Sequence, residues 1–289
     1  MNSSLNRFVE FMEERENIRL RREAGQSWPW TDDKIFQTYR FTNVHREDDK
    51  TTKAFISIYK ERPAANPSVA LLNCGVFRYF GTVDFANDVG WIERWNPKHV
   101  LTVAKTRLAS KLPVFTSAYV ITNGGLKEPK ENVVVRYLHS LWINADSVVA
   151  DIFLNHKWED GYKRLSQLPG FGGTGFMAKE VLQDFLLWYE GEIRDRMTFT
   201  PMGIGARRGI NRVLERPVQF GQLEQKFIDE CRSLRYFIND RWPKDWARLS
   251  AHDVQFQLCE FDKYERVRLC QGRPKRLYRH EIQNLHSNV

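Results

Sequence analysis

Apolar residues return at intervals of three and four along most of this chain, the spacing that places side chains on one face of an α-helix. Leu5, Phe8, Val9, Met12 and Ile18 form such a face among glutamates and arginines and predict a helix over 5–23, closed by Gly25. Thr31-Asp32-Asp33 reads as an N-cap ahead of Ile35, Phe36 and Tyr39, because a short oxygen-bearing side chain can accept the free amides of a first helical turn. Helices are also predicted over 51–62 and 68–80, parted by Pro63-Ala64-Ala65-Asn66-Pro67, with Phe77, Tyr79 and Phe80 in the core. Two more follow over 84–90 and 98–111, with Pro97 in a first turn. Residues 114–122 are rich in β-branched side chains, but no partner strand lies nearby, so helix or one short extended piece is expected. The apolar density over 133–153 predicts a buried helix, the spine on which the lobes meet, and 219–242 and 251–266 complete the set. The pattern predicts an all-α fold, as one large helical domain or two interlocked lobes.

The periodicity is interrupted most sharply at Leu165 to Ala178, where a Leu168-Pro169-Gly170-Phe171-Gly172-Gly173 core separates two helical segments, one carrying Trp158, Tyr162 and Leu165 and the other Phe176, Val181, Phe185 and Trp188. A glycine-rich turn at the start of a helix presents backbone amides to an anion. The alternative is a helix–helix corner with no ligand. Charge tilts the choice: 44 Lys and Arg against 36 Asp and Glu leave +8, and nucleic-acid phosphate is the first candidate. A second glycine-punctuated basic stretch runs from Glu192 to Arg212. The candidate DNA-backbone contacts are Leu168, Pro169, Gly170, Gly172, Gly173, Arg207 and Arg208. The basic tail from Arg273 to Arg279 is expected to be ordered only in part. Cys74, Cys231, Cys259 and Cys270 lie too far apart for a metal knuckle, so neither a metal nor a cofactor is expected. No signal segment opens the sequence and no apolar run reaches the roughly 18 residues of a membrane span, so a reducing cytoplasm is the expected setting.

The words from Arg40 to Lys50 are unusually polar for a segment joined to an apolar helix. They are either a solvated helix end or the lining of a pocket, and the pocket reading takes Asn43, Arg46, Glu47 and Asp49 together with Glu260 and Asp262. The Leu-Pro-Gly turn resembles the helix-hairpin-helix of DNA glycosylases, here over about 158–190. That resemblance implies a catalytic carboxylate after the second hairpin helix, a place taken by Asp195, and a lyase lysine where this chain has Thr174, with Lys179 as a remote candidate. Four closely spaced cysteines are missing, which excludes the iron-sulfur subgroup.

Several longer phrases, Ile18–Gly25, Trp30–Asp33, Tyr39–Asp49, Gly205–Arg212 and Leu258–Arg266, resemble the alpha-glutamyl/putrescinyl thymine pyrophosphorylase-like family, which includes the helical domain found with hydroxymethyluracil DNA kinases. The resemblance implies an all-helical, glycosylase-like fold of two interlocked lobes, one unit over 1–289, that handles hypermodified pyrimidines in DNA. No Gly-x-x-x-x-Gly-Lys-Ser/Thr phosphate loop occurs in these 289 residues, so a kinase activity of the chain's own is not expected. The expectation is a glycosylase that flips a hydroxymethylated or glucosylated pyrimidine out of double-stranded DNA and leaves an abasic site, without an obligate protein partner and in defence against phages. The alternatives are a transferase joining an amine or amino acid to an activated hydroxymethyl group, and a non-catalytic reader of modified DNA.

Overall fold

Short polar side chains at Asp33, Asn66, Thr82, Asn96 and Ser250 cap helices of the computed structural model, which describes residues 3–60, 66–116, 121, 123, 125–189 and 191–278. In chain order the helices are α1 (Ser3–Glu23), α2 (Lys34–Thr38), α3 (Lys50–Phe55), α4 (Pro67–Phe80), α5 (Val83–Val89), α6 (Pro97–Ala109), α7 (Lys130–Asn155), α8 (Trp158–Leu165), α9 (Phe176–Phe185), α10 (Ile204–Val213), α11 (Glu224–Arg241) and α12 (Ala251–Arg268). Asp33 caps α2 by accepting the amide of Ile35 at 2.7 Å, and Asn66 accepts that of Ser68 at 2.8 Å ahead of Pro67. The fold is all-α. Among the described residues, the sole extended pairing given is an isolated bridge between Tyr39 and Leu277, and no helix is long and apolar enough to cross a membrane.

The chain forms two compact units, the first from both chain ends (1–48 and 202–289) and the second from 49–201. The first unit gathers α1, α2, α10, α11 and α12 around Phe8, Phe11, Phe36, Phe41, Trp242 and Phe261. Phe11 meets Phe261 and Tyr264 edge-on, with centroids 5.6 and 5.3 Å apart. Helices α10 and α12 cross closely because Gly205 and Gly209 remove side chains from the contact. A Cβ on Gly209 would lie 2.6 Å from the carbonyl carbon of Leu258, and one on Gly205 2.9 Å from Cys259 Sγ. These glycines of the second basic stretch therefore serve a helix crossing rather than an open loop. At a free helical site Gly→Ala gains up to about 1 kcal/mol, but Gly209→Ala pushes on backbone and is expected to destabilise the first unit by about 1–3 kcal/mol. Urea unfolding reads this directly, with Gly221→Ala, where a Cβ meets open space, as the neutral reference; equal midpoints for the two variants would remove the close-crossing argument.

In the second unit α4 is buried on every side from Ser68 to Phe80 and packs on α7 and α9. Phe77, Tyr79 and Phe80 are core residues. The buried helix expected over 133–153 is α7, buried along one stripe: Leu138, Leu141, Ala145, Val148 and Ile152 face inward, whereas Ile143 and, just beyond that range, Leu154 are 65% and 78% exposed. Apolar density alone does not report which positions find a neighbour. The helix expected over 51–62 is regular only to Phe55 and continues as a wider π turn over Ile56–Lys60; 61–62 lie outside the described residues, as do 63–65 of the proline linker. Of the segment 114–122, Val114–Thr116 form no helix, Phe115 stacks on Phe80 at 5.3 Å, and 117–120 and 122 lie outside the described residues. Helix α11 begins at Glu224 rather than Gln219, because Asn211 Nδ2 donates to the carbonyls of Val218 and Phe220 and holds that stretch as a loop.

Candidate functional site

Along α12, Asp253, Gln257, Glu260 and Tyr264 are spaced four, three and four residues apart and so share one face. The polar segment after α2 lies against that face. Its backbone groups have no helical partners, and α12 side chains supply them: Glu260 Oε2 accepts the amide of Thr42 at 3.1 Å, Gln257 Nε2 donates to the carbonyl of Asn43 at 2.7 Å, and Asp253 Oδ1 accepts the amide of Arg46 at 3.3 Å. From the other side Arg15 of α1 donates to the carbonyls of Phe41 and Thr42 at 3.3 and 3.0 Å. Tyr264 closes the row by donating to Asp33 Oδ2 at 2.6 Å.

This clamp concentrates ionisable groups. Asp253, 5% exposed, begins α12 in a capping box, its Oδ2 accepting from the amide and hydroxyl of Ser250 at 2.9 and 2.7 Å. His45 Nδ1 lies 3.9 Å from the same oxygen, and Arg46 is buried beside it in sequence. Arg19 pairs with Glu16 and, at 3.3 Å, with Asp48. Burial by itself would lower the pKa of His45, yet Asp253, with Glu16 and Asp48 further off, raises it above the usual histidine value. Burial pushes Asp253 up, and His45, His252 and Ser250 outweigh it to hold the carboxyl below the usual range. The arrangement favours the protonated form of a buried imidazole that faces a buried carboxylate, with Arg46 next in the chain. When protonated, an imidazole can donate to an anionic oxygen and pass it a proton.

Asn43, Arg46 and Glu260 of the expected pocket are thus brought to one face of α12, with Glu47 next in the chain and half-buried. Asn43 Nδ2 is used locally, donating to the carbonyl of Asp48 at 2.7 Å. Asp49 belongs to the second unit, where it precedes α3. Asp262 requires correction. Two residues from Glu260, it points to another side of α12 and accepts from Arg208 Nε and Arg212 Nε, each at 2.9 Å. Arg208, expected on phosphate, holds α10 to α12 through that buried carboxylate. His45, Asp253 and Gln257 were absent from the sequence assignment; the stripe 253/257/260/264 behind a Ser-x-x-Asp cap is the signal that points to them.

In the second unit α8, the turn and α9 follow the predicted order. Gly170 takes φ +85°, its carbonyl accepting from Tyr79 Oη at 2.5 Å, and a Cβ there would lie 2.7 Å from that oxygen. Phe171 is buried beneath, while Pro169, Gly170, Gly172 and Gly173 are exposed and Leu168 is half-buried. Asp195 is corrected from catalyst to cap: its two oxygens accept the amides of Trp158 and Glu159 at 2.9 and 3.1 Å, closing the first turn of α8. Burial raises its pKa and those amides oppose the rise. Lys179 is buried against Glu180 at 3.1 Å. An open groove of about 500 Å³ beside the turn carries Asp151, Asp160, Lys163, Arg164 and Leu168. Its charges meet close partners, Arg164 with Asp151 and Lys163 with Glu159.

The family described as "5-hmdU DNA kinase, helical domain" matches residues 2–273. A 5-hmdU DNA kinase of Bacillus phage SP10 is 27% identical over 278 residues, covering 87% of this chain and 43% of the phage protein, so the chain spans less than half the length of that relative. No solved structure matches. The expectation of a glycosylase, a hydrolase of the base–sugar bond, is overturned by this kinase relationship, and the role given to Asp195 falls with it. The transferase alternative agrees better with it.

Proposed function

Since this chain belongs to the family of 5-hmdU DNA kinase helical domains, we propose that it is a transferase acting at the hydroxymethyl group of 5-hydroxymethyluracil in DNA. The observation that carries this reading is the extent of the family match, which takes in the whole of the His45–Asp253 clamp, all of the second unit and the first unit as far as residue 273. His45 and Arg46 hold a phosphoryl oxygen carried on, or arriving at, the hydroxymethyl group, and Asp253 keeps the imidazole charged and oriented. Asn43, Glu47 and Glu260 frame the base, which has to leave the helical stack to be reached. In the second unit the exposed turn at Leu168, Pro169, Gly170, Gly172 and Gly173 is a separate contact to DNA phosphate through its amides, and Arg207 of the first unit is another.

The test is incubation with duplexes containing 5-hydroxymethyluracil or its phosphorylated form, with ATP or a primary amine as co-substrate, followed by digestion and mass analysis of the nucleosides. A new nucleoside carrying the transferred group, without abasic sites, is expected. His45→Gln should lower that rate by about a hundredfold, the lower end for loss of an acid–base group, while duplex affinity changes little. Selective binding without product would make the chain a recognition module. No preference for modified DNA would overturn the reading.

A further inference from the structure

The basic segment near the end of the described chain is fixed in place. The amide of Arg40 donates to the carbonyl of Arg276 at 3.3 Å, and that of Tyr278 donates to the carbonyl of Thr38 at 2.9 Å, around the Tyr39–Leu277 bridge. Tyr278 lies flat on Trp28, centroids 5.2 Å apart and planes 12° apart, with Trp30 edge-on to both. The result is a short strap, 273–278, whose Arg276–Tyr278 end is paired with the loop after α2; of the tail expected to be ordered only in part, Arg279 lies outside the described residues.

The strap exposes Arg273, Lys275 and Arg276, and Arg40, to which it is bonded, is exposed as well. Carboxylates of the surrounding elements are largely engaged: Asp33 with its helix cap and Tyr264, Glu14 with Arg21 at 3.0 Å, and Glu260 with Lys263 at 2.5 Å. Asp32 remains exposed. Arg273 and Lys275 make this a cationic edge on a segment whose ordering cost was met in folding. His45 lies five positions after Arg40, a reach of at most about 18 Å even if fully extended. An anionic polymer on the strap therefore passes close to the clamp.

We propose that this strap is a binding edge for the phosphate backbone of duplex DNA, holding the strand on which His45 and Arg46 act. The inference rests on the reading that DNA is the substrate. It gives the strap a contact that does not depend on sequence or modification, since side chains on phosphate position a duplex without reading it.

The test uses the full chain and fluorescence anisotropy on two duplexes, with and without 5-hydroxymethyluracil, between 50 and 200 mM salt. The variant Arg273→Gln/Lys275→Gln/Arg276→Gln is expected to weaken both duplexes alike by about 10- to 100-fold at the lower salt. Its log–log salt slope should shrink by about 2 to 3, as three phosphate contacts imply. Arg273→Gln/Lys275→Gln, which leaves the residue bonded to Arg40 unchanged, guards against a folding defect and should shrink the slope by about 2. A wild-type slope in both variants overturns the strap, even where preference for the modified duplex persists and the proposed function stands. Equal wild-type affinity for both duplexes with a reduced slope in the variants supports the strap and counts against recognition of the modified base. Loss of binding to phosphatidylserine vesicles but not to duplexes also overturns it.

Discussion

Arg78→Met is expected to destabilise the second unit by about 3–5 kcal/mol, the scale for removing one partner of a buried ion pair. Arg78 and Asp184 are 2% and 0% exposed, and Nε and Nη2 of the guanidinium each stand 2.5 Å from a carboxylate oxygen. The pair joins α4 to α9, with Thr52 Oγ1 3.3 Å from Nη2. Deleting the guanidinium strands a carboxylate in a helix core, where its charge is poorly solvated. The double variant Arg78→Met/Asp184→Leu removes both charges and should recover most of the loss, because the desolvation penalty disappears together with the attraction. Urea unfolding of the wild type, both single variants and the double variant gives the coupling. Additive losses across that cycle would refute it.

The second large effect is expected from Asp253→Asn. The substitution keeps the size of a residue that caps α12, receives the amide of Arg46 and faces His45, and removes the charge. A loss of about 3 kcal/mol is expected near pH 5, on the acid side of the usual histidine value, because the buried imidazole loses the counter-charge that favours its protonated form. Group transfer should fall by about a hundredfold or more. The pH dependence has a definite sign. His45 is raised, so its contribution is complete below its unfolded value of about 6.5 and is lost as pH rises through the higher folded value. Asp253 is lowered, so its contribution is present above the unfolded value of about 3.9 and is lost as pH falls through the lower folded value. Wild-type stability should hold between these limits and decline on the alkaline side, and the variant should lack that decline. Superimposable profiles from pH 5 to pH 9 would show that the two groups are not coupled.

What the sequence determined by itself is local. Helices α4, α6, α8, α9 and α12 stand close to where apolar spacing, the 63–67 linker, Pro97 and the Leu-Pro-Gly turn put them, because breakers and periodicity act over a few residues. The polarity of Arg40–Lys50 likewise marked a segment whose groups needed partners, and its backbone at Thr42, Asn43 and Arg46 finds them on one face of α12. Tertiary structure alone decided which partners they found. Arg46 and Asp253 are 207 positions apart, and Asp195 caps a helix that begins 37 positions before it. A carboxylate's task depends on which amide or cation the fold brings within about 3 Å, and the sequence around Asp195 or Asp262 reads the same whether that neighbour is a substrate, a helix end or an arginine. The strap shows the same limit: Arg276 and Tyr278 are ordered by Thr38 and Arg40, more than 230 positions earlier, and loop-closure entropy over such a distance is offset only when both ends of the chain are already packed into one core.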